Sequence, residues 1–155
     1  MTLGALLSML GGVATASPAF AGTGTRPLHF VVTHAQFTDF TCLNDSCSLA
    51  HVTVTGDASS NLSTSPGSFR AILTVDFSPG GSCNIVDEPG AFIFDKGTIF
   101  THSHHEDCAT NGLRIDTTFK ITDGTGAFAG ATGGGHEFNA FPAPAPVIYN
   151  GTISF

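Results

Sequence analysis

The residues best suited to metal binding or proton transfer lie in one short segment, residues 101–108, which reads THSHHEDC. In a β-strand successive side chains point to opposite faces, so His102 and His104 lie together with Phe100, and His105 lies on the other face. Two histidines at this spacing are roughly 6.5–7 Å apart, close enough for both imidazoles to bind one metal ion. We expect His102 and His104 to point towards the interior of the fold or its mouth.

A metal site here needs a third ligand from another part of the chain, and the candidates are His34, His51 and His136. Because no local spacing fixes that ligand, we predict no metal site, and we expect His102 and His104 to be hydrogen-bonded or solvated. Metal binding is one alternative. General acid–base catalysis is another, since imidazole titrates near neutral pH.

Two further patterns resemble cofactor or catalytic motifs only superficially. The spacing of Gly124, Gly126 and Gly130 differs from that of a dinucleotide-binding loop, and a strand rather than a helix is expected after them. The G-x-S-x-G motif of a nucleophilic serine does not occur in the sequence. The sequence therefore predicts no cofactor and identifies no catalytic residue.

The four cysteines form an even set, which in an exported chain predicts two disulfides. Three connectivities are possible. We favour Cys42–Cys47, which closes a short loop between two strands, and Cys83–Cys108, which joins the start of one strand to the end of a later neighbour. Zinc binding is the alternative, but the spacing does not match a C-x-x-C site.

Residues 1–21 resemble a secretory signal peptide. An apolar run is followed by Ala19-Phe20-Ala21, an A-x-A cleavage site, although no Lys or Arg precedes the run. We predict that the mature protein begins at Gly22 and is secreted. Residues 22–155 then form a single domain.

The composition excludes some classes of partner. The net charge is −7, and the five Lys and Arg residues are scattered, so no basic surface for nucleic acid is predicted. No membrane association is expected once the signal peptide is removed. Only 11% of residues are charged, while Gly and Phe are plentiful, which is typical of a secreted all-β domain.

Hydrophobic alternation predicts the strands that position these side chains. About eight are expected, covering residues 28–40, 47–56, 69–77, 83–86, 91–94, 98–105, 113–121 and 147–155. Residues 57–67 are expected to form a loop, residues 95–97 a three-residue hairpin turn, and residues 123–126 a tight turn before a small-residue strand around Phe128. Residues 141–146 form a stiff Pro-rich segment that can cover one barrel mouth. The pattern predicts an antiparallel barrel or, alternatively, a β-sandwich.

The chain has fourteen Phe residues, most of them on predicted inward faces. Core filling is the simplest interpretation. The functional interpretation is an aromatic-lined pocket for an apolar ligand, since eight-stranded barrels can hold one small molecule. The candidate cavity-lining residues are Phe69, Phe77, Phe92, Phe100 and Phe119.

Residues 123–133, DGTGAFAGATG, resemble the GGTGxFxGAxG signature of the allene oxide cyclase and dirigent barrel superfamily, with Asp123 in place of its first Gly. Residues 150–153 are similar to the last strand of that superfamily. The closest resemblance is to the allene-oxide-cyclase-barrel-like domains of secreted bacterial proteins. It implies an antiparallel, calycin-like β-barrel of about eight strands with a central cavity, and it makes oligomers possible. No catalytic residue of that family is matched in this chain.

Three functions follow from these observations. The first is a secreted barrel that binds a hydrophobic small molecule in its cavity. The second is a cofactor-free isomerase or cyclase, as the resemblance suggests, in which a His or carboxylate moves a proton. The third is an extracellular protein that acts through its surface. We rank the binding barrel first.

Overall fold

The computed structural model describes residues 24–79, 83–108, 114–140 and 145–155. Eight antiparallel strands form a closed barrel in which each strand pairs with the next and the last pairs with the first. This architecture confirms the all-β barrel and excludes the sandwich. The elements are β1 (Arg26–Cys42), β2 (Leu49–Ser60), β3 (Ser63–Asp76), β4 (Cys83–Phe94), β5 (Gly97–Cys108), β6 (Arg114–Gly124), a 3₁₀ turn η1 (Gly126–Phe128), β7 (Thr132–Ala140) and β8 (Val147–Ser154).

Alternation along the strands sets the inside of the barrel. In β3 the side chains of Phe69, Ala71 and Val75 are buried, whereas Arg70 and Ile72 are exposed. Side chains at every second position of β6 and β8 also point into the barrel, as hydrophobic alternation predicts. Most of the side chains that point into the barrel are therefore apolar.

Aromatic side chains close one end of the barrel. The rings of Phe30 and Phe92 stack with centroids 4.0 Å apart, and Tyr149 meets Phe92 edge-on at 5.0 Å. Phe128, in η1, is completely buried against Phe94. Offset and edge-to-face packing of this kind stabilises beyond the apolar area that it buries. The core is concentrated at this end, opposite the cavity described below.

Two parts of the chain that were expected to interrupt the sheet belong to it instead. Residues 57–67 were predicted to be a loop, but they form the hairpin of β2 and β3, with Asp57 opposite Ser68. Residues 83–94 form one strand that passes through Pro89. Pairing with neighbouring strands overrides the local turn propensity of polar residues in both places.

The turns also differ in detail from the sequence expectation. The β4–β5 hairpin has a two-residue turn, because Phe94 pairs directly with Gly97. After β6 the chain forms η1 rather than continuing as a strand around Phe128, and β7 begins only at Thr132. The amide of Ala127 donates to the carbonyl of Lys96, at 2.8 Å, so this corner is held against the β4–β5 turn.

Both predicted disulfides are confirmed: Cys42–Cys47 and Cys83–Cys108. The second joins residues that lie directly opposite each other on β4 and β5. The predicted signal peptide lies outside the described residues, as does most of the Pro-rich segment. Among the helices of the described ranges, none is long and apolar enough to span a membrane.

Candidate functional site

A cavity of about 280 Å³ lies at the barrel end opposite the aromatic core. Its apolar wall comes mainly from β1, β2 and β3, with Val52, Leu73 and Val75 as examples. Its polar wall comes from β4, β5, β7 and β8. The cavity is thus an apolar chamber with hydrogen-bonding groups on one side, which is the usual composition of a small-molecule site.

Three buried polar side chains meet on the floor of this cavity. Glu137 and Tyr149 lie opposite each other on β7 and β8, and Glu88 reaches them from β4. The Tyr149 hydroxyl lies 3.1 Å from Oε1 of Glu137 and 3.3 Å from Oε1 of Glu88. Because one phenol carries one proton, it donates fully to only one carboxyl at a time. Of the three, Glu88 and Tyr149 line the cavity.

Burial and mutual repulsion change the protonation of these groups. Burial, together with the charge of the neighbouring Glu137, raises the pKa of Glu88 to about 8. Burial also raises the pKa of Glu137 to about 7. The pKa of Tyr149 lies well above its usual value, again chiefly through burial. Two carboxyl groups this close titrate as a pair, and at neutral pH the pair retains a proton.

Three buried polar atoms make no hydrogen bond within the part of the chain that the structure describes. They are Oε2 of Glu137, Oγ of Ser103 and Nδ1 of His105. The Ser103 hydroxyl is near enough to lower the pKa of Glu137, although it makes no hydrogen bond of normal geometry. Glu88 is only 9% exposed, and its single hydrogen bond within the described chain is the one from Tyr149. A buried polar group without a partner costs free energy that a bound molecule can recover.

His105 and Asp107 extend the polar wall towards the mouth of the cavity. Burial lowers the pKa of His105, despite the opposing effect of Asp107, so the imidazole is neutral at neutral pH. The polar wall therefore carries carboxyl groups and neutral hydrogen-bonding groups.

The structure reverses the predicted phase of β5. Ile99, Thr101 and Ser103 are buried, and Phe100 is 37% exposed on the outer face. The expectation that His102, His104 and Phe100 face the interior, with His105 outside, was therefore wrong. Pairing with β4 decides the phase, because Ile99 lies opposite the fully buried Phe92 and directly opposed residues share a face.

His102 and His104 lie outside the barrel, around one carboxylate. Oδ1 of Asp87 is 2.7 Å from Nε2 of His102 and 3.5 Å from Nδ1 of His104. The proposed third ligands lie elsewhere: His34 contacts Asp57, His136 lies 3.8 Å from Asp116, and His51 is exposed on β2. None of these three histidines lies beside His102 and His104.

One group of possible metal-binding atoms is found in the described residues: Cys83, Glu106 and Cys108. Both sulfur atoms belong to a disulfide, so neither is a thiolate ligand.

The predicted cavity-lining phenylalanines divide into three groups. Phe69 and Phe77 line the cavity. Phe92 and Phe119 are buried in the core. Phe100 lies on the outer face of the barrel, because the predicted phase of β5 was wrong.

Glu88, Glu137 and Tyr149 are not among the candidate residues that the sequence predicts. A signal for Glu88 is present, because Val86, Glu88, Gly90, Phe92 and Phe94 share one phase of an alternating segment. A carboxyl group at an inward position of such a strand is unusual, because its desolvation is unfavourable. The meeting of Glu88 with Glu137 has no local signal in the sequence.

Comparison with protein-family models and with curated proteins found no match to this chain. The fold and the site define an antiparallel eight-stranded barrel whose cavity carries a buried, hydrogen-bonded acid pair.

Proposed function

We propose that this protein is an exported barrel that binds a small, mostly apolar molecule in its cavity. The observation that carries the proposal is the combination of an apolar chamber with Glu88, a buried side chain that lines it. Among the described residues, Glu88 has a hydrogen-bond partner for only one of its two oxygens. An apolar ligand gains free energy by leaving water, and a polar group on that ligand can satisfy Glu88.

The size of the cavity favours a small ligand. Its volume of about 280 Å³ is close to the lower end of the range typical of ligand pockets, about 300–1,000 Å³. We therefore expect the ligand to be an aliphatic or single-ring molecule rather than a large cofactor.

Export is supported by the two disulfides, because such bonds persist in oxidising compartments. The proposed leader is residues 1–21, with Gly22 as the first mature residue. N-terminal sequencing of protein recovered from the culture medium tests this part of the proposal. Intact Met1 on that material would overturn it.

Binding is tested with octan-1-ol, a neutral amphiphile, by calorimetry and by NMR of the labelled protein. We expect saturable binding with shifts at Val52, Leu73 and Val75. Leu73→Trp should abolish binding by filling the cavity. Ile72→Trp is the matched control, since Ile72 is the neighbouring residue and is exposed on the outer face. Equal binding by both variants, or no binding by the parent protein, would contradict the proposal.

A second function, a cofactor-free isomerase or cyclase, is favoured by one specific observation. Glu88 lines the cavity, burial raises its pKa, and it accepts a hydrogen bond from Tyr149, so it can act as a general acid or base. The resemblance of residues 123–133 to allene oxide cyclase and dirigent barrels supports the same idea.

Binding and catalysis are separated by the fate of the ligand. If the protein is an enzyme, a ligand co-purified from its source should be recovered as an isomerised or cyclised product after incubation. Glu88→Gln should then remove turnover while leaving binding in place. Recovery of the unchanged ligand from both proteins would support binding alone.

A further inference from the structure

We propose that the cavity selects its ligand by charge: it takes an amphiphile with an amino group, whose ammonium lies against Glu88, and it disfavours a carboxylate of the same chain length. This inference rests on the proposed function, because it names the class of molecule that the same cavity binds.

The charges around the cavity favour this choice. Glu88 and Asp107 contribute carboxyl groups, and His105 contributes a neutral imidazole. No Lys or Arg side chain lines the cavity in the described part of the chain. An anionic head group would therefore meet carboxyl groups without a balancing cation, whereas an ammonium would meet partners of opposite charge.

Glu88 is the partner best placed for an ammonium group. It is nine-tenths buried, it lines the cavity, and its one hydrogen bond in the described chain comes from the Tyr149 hydroxyl. An ammonium has three N–H donors and no acceptor, so a carboxylate oxygen without a partner complements it. Asn84 and Asn139 also line the cavity and add polar, uncharged groups to its wall.

Titratable groups from several strands act on Glu88. Glu137 on β7 repels its charged form, and the Tyr149 hydroxyl on β8 donates to it. On β5, Ser103 lies directly opposite it, and His105 and Asp107 line the same cavity. These groups leave Glu88 and Glu137 sharing a proton at neutral pH.

Binding of an ammonium changes this proton balance. The cation stabilises the carboxylate form of Glu88, so the shared proton leaves for solvent as the amine binds. No bond to carbon forms or breaks. A carboxylate ligand should bind with uptake of a proton, because it must be neutralised before it can lie beside the acid pair.

The test compares octylamine, octan-1-ol and octanoate by titration calorimetry at about pH 7, in two buffers with different ionisation enthalpies. We expect octylamine to bind about tenfold more tightly than octan-1-ol and octanoate to bind most weakly. Octylamine binding should release up to one proton, seen as a buffer-dependent enthalpy. Its affinity should rise by up to tenfold per pH unit between about pH 6 and pH 8.

Variants connect the preference to Glu88. Glu88→Gln should reduce the affinity for octylamine to that for octan-1-ol and remove the proton release, because glutamine carries no charge. Glu106→Gln is the matched control, because Glu106 is exposed on β5 and is not among the residues that line the cavity. It should leave all three affinities unchanged.

The outcomes distinguish this inference from the proposed function. If octan-1-ol binds but octanoate binds as tightly as octylamine, the charge preference is wrong and the binding function stands. If none of the three binds, the binding function itself is wrong. If Glu88→Gln does not fold, the pH dependence of octylamine binding to the unmodified protein decides, and an affinity that does not change with pH would overturn the inference.

Discussion

Glu88 and Glu137 are acids placed where the charged form is unfavourable. Glu137 is only 2% exposed, and both carboxyl groups lie among aromatic and aliphatic side chains. Desolvation therefore raises both pKa values above that of a carboxyl group in an unfolded chain. Protonation of the pair therefore stabilises the folded state, and its ionisation destabilises it.

This placement predicts that stability falls as pH rises. Between about pH 5 and pH 8 the folded protein binds more protons than the unfolded chain, so the free energy of unfolding decreases as the pH rises. The decrease is complete once the two carboxyl groups have ionised in the folded protein, at about pH 7 and then about pH 8. The loss should be on the order of a few kcal/mol, because each unit of pKa shift corresponds to about 1.4 kcal/mol. Urea unfolding from about pH 5 to pH 9 measures it.

Glu88→Gln should flatten this pH dependence, because glutamine has no proton to lose. Glu106→Gln, at an exposed position, should leave it as in the parent protein. A stability profile that rises towards pH 9 would show that the acid pair is not destabilised by burial.

At the scale of single elements, the corner formed by η1 and the residues after it contains two glycines with positive φ. Gly126 has φ of +61°, and a Cβ there would overlap the carbonyl oxygen of Lys96. Gly130 has φ of +77°, but no atom lies within 4 Å of its Cβ position. Added bulk at Gly130 would therefore meet no neighbouring atom in the described part of the chain. Glycine is favoured at position 130 only because of the positive φ.

The two glycines therefore predict different costs. Gly126→Ala should destabilise by about 2–4 kcal/mol, because it adds a steric overlap to an unfavourable φ. Gly130→Ala should cost only about 1 kcal/mol, for the φ alone. Chemical denaturation of both variants measures the difference. Equal costs would mean that the corner relaxes around Lys96.

The two disulfides also act at the level of elements. Cys83–Cys108 closes a segment with a sequence separation of 25 residues, whereas Cys42–Cys47 closes one of 5. Since the entropy lost by the unfolded chain grows with loop length, replacing the Cys83–Cys108 pair by alanine should cost about 2–4 kcal/mol, and replacing the Cys42–Cys47 pair should cost less. Thermal unfolding of the two double variants tests this order. A larger loss from the shorter loop would contradict it.

The whole molecule is asymmetric along the barrel axis. One end is packed with aromatic rings around the buried Phe30, Phe92 and Phe128. At the other end the cavity takes the place of a packed core, and the last residues of β1 are exposed, with Phe37 70% and Phe40 57% accessible. The packed end provides stability and the open end is free for a ligand.

This asymmetry predicts a gradient in hydrogen exchange. Backbone amides near Phe30 and Phe92 should exchange only on global unfolding, while those near Phe40 and Thr41 should exchange at least about 100-fold faster through local opening. Exchange followed by NMR measures both sets. Bound octan-1-ol should slow exchange around the cavity more than at the aromatic end. Uniform protection along β1 would contradict the prediction.

The sequence by itself determined the features that depend on neighbouring residues. Alternation in residues 69–77 fixed the inward face of β3, because one face is apolar and the other carries Arg70. Cysteine parity and strand order led to the correct disulfides. The all-β class followed from repeated short alternating segments.

Only the tertiary structure decided the features that depend on partners distant in the chain. In β5 both faces carry apolar residues, Ile99 on one and Phe100 on the other, so local pattern could not set the phase, and pairing with Phe92 on β4 did. The acid pair exists because barrel closure brings β4, β7 and β8 around one cavity, which places Glu88 and Glu137 against Tyr149. Burial, rather than residue type, then gives these carboxyl groups their altered protonation.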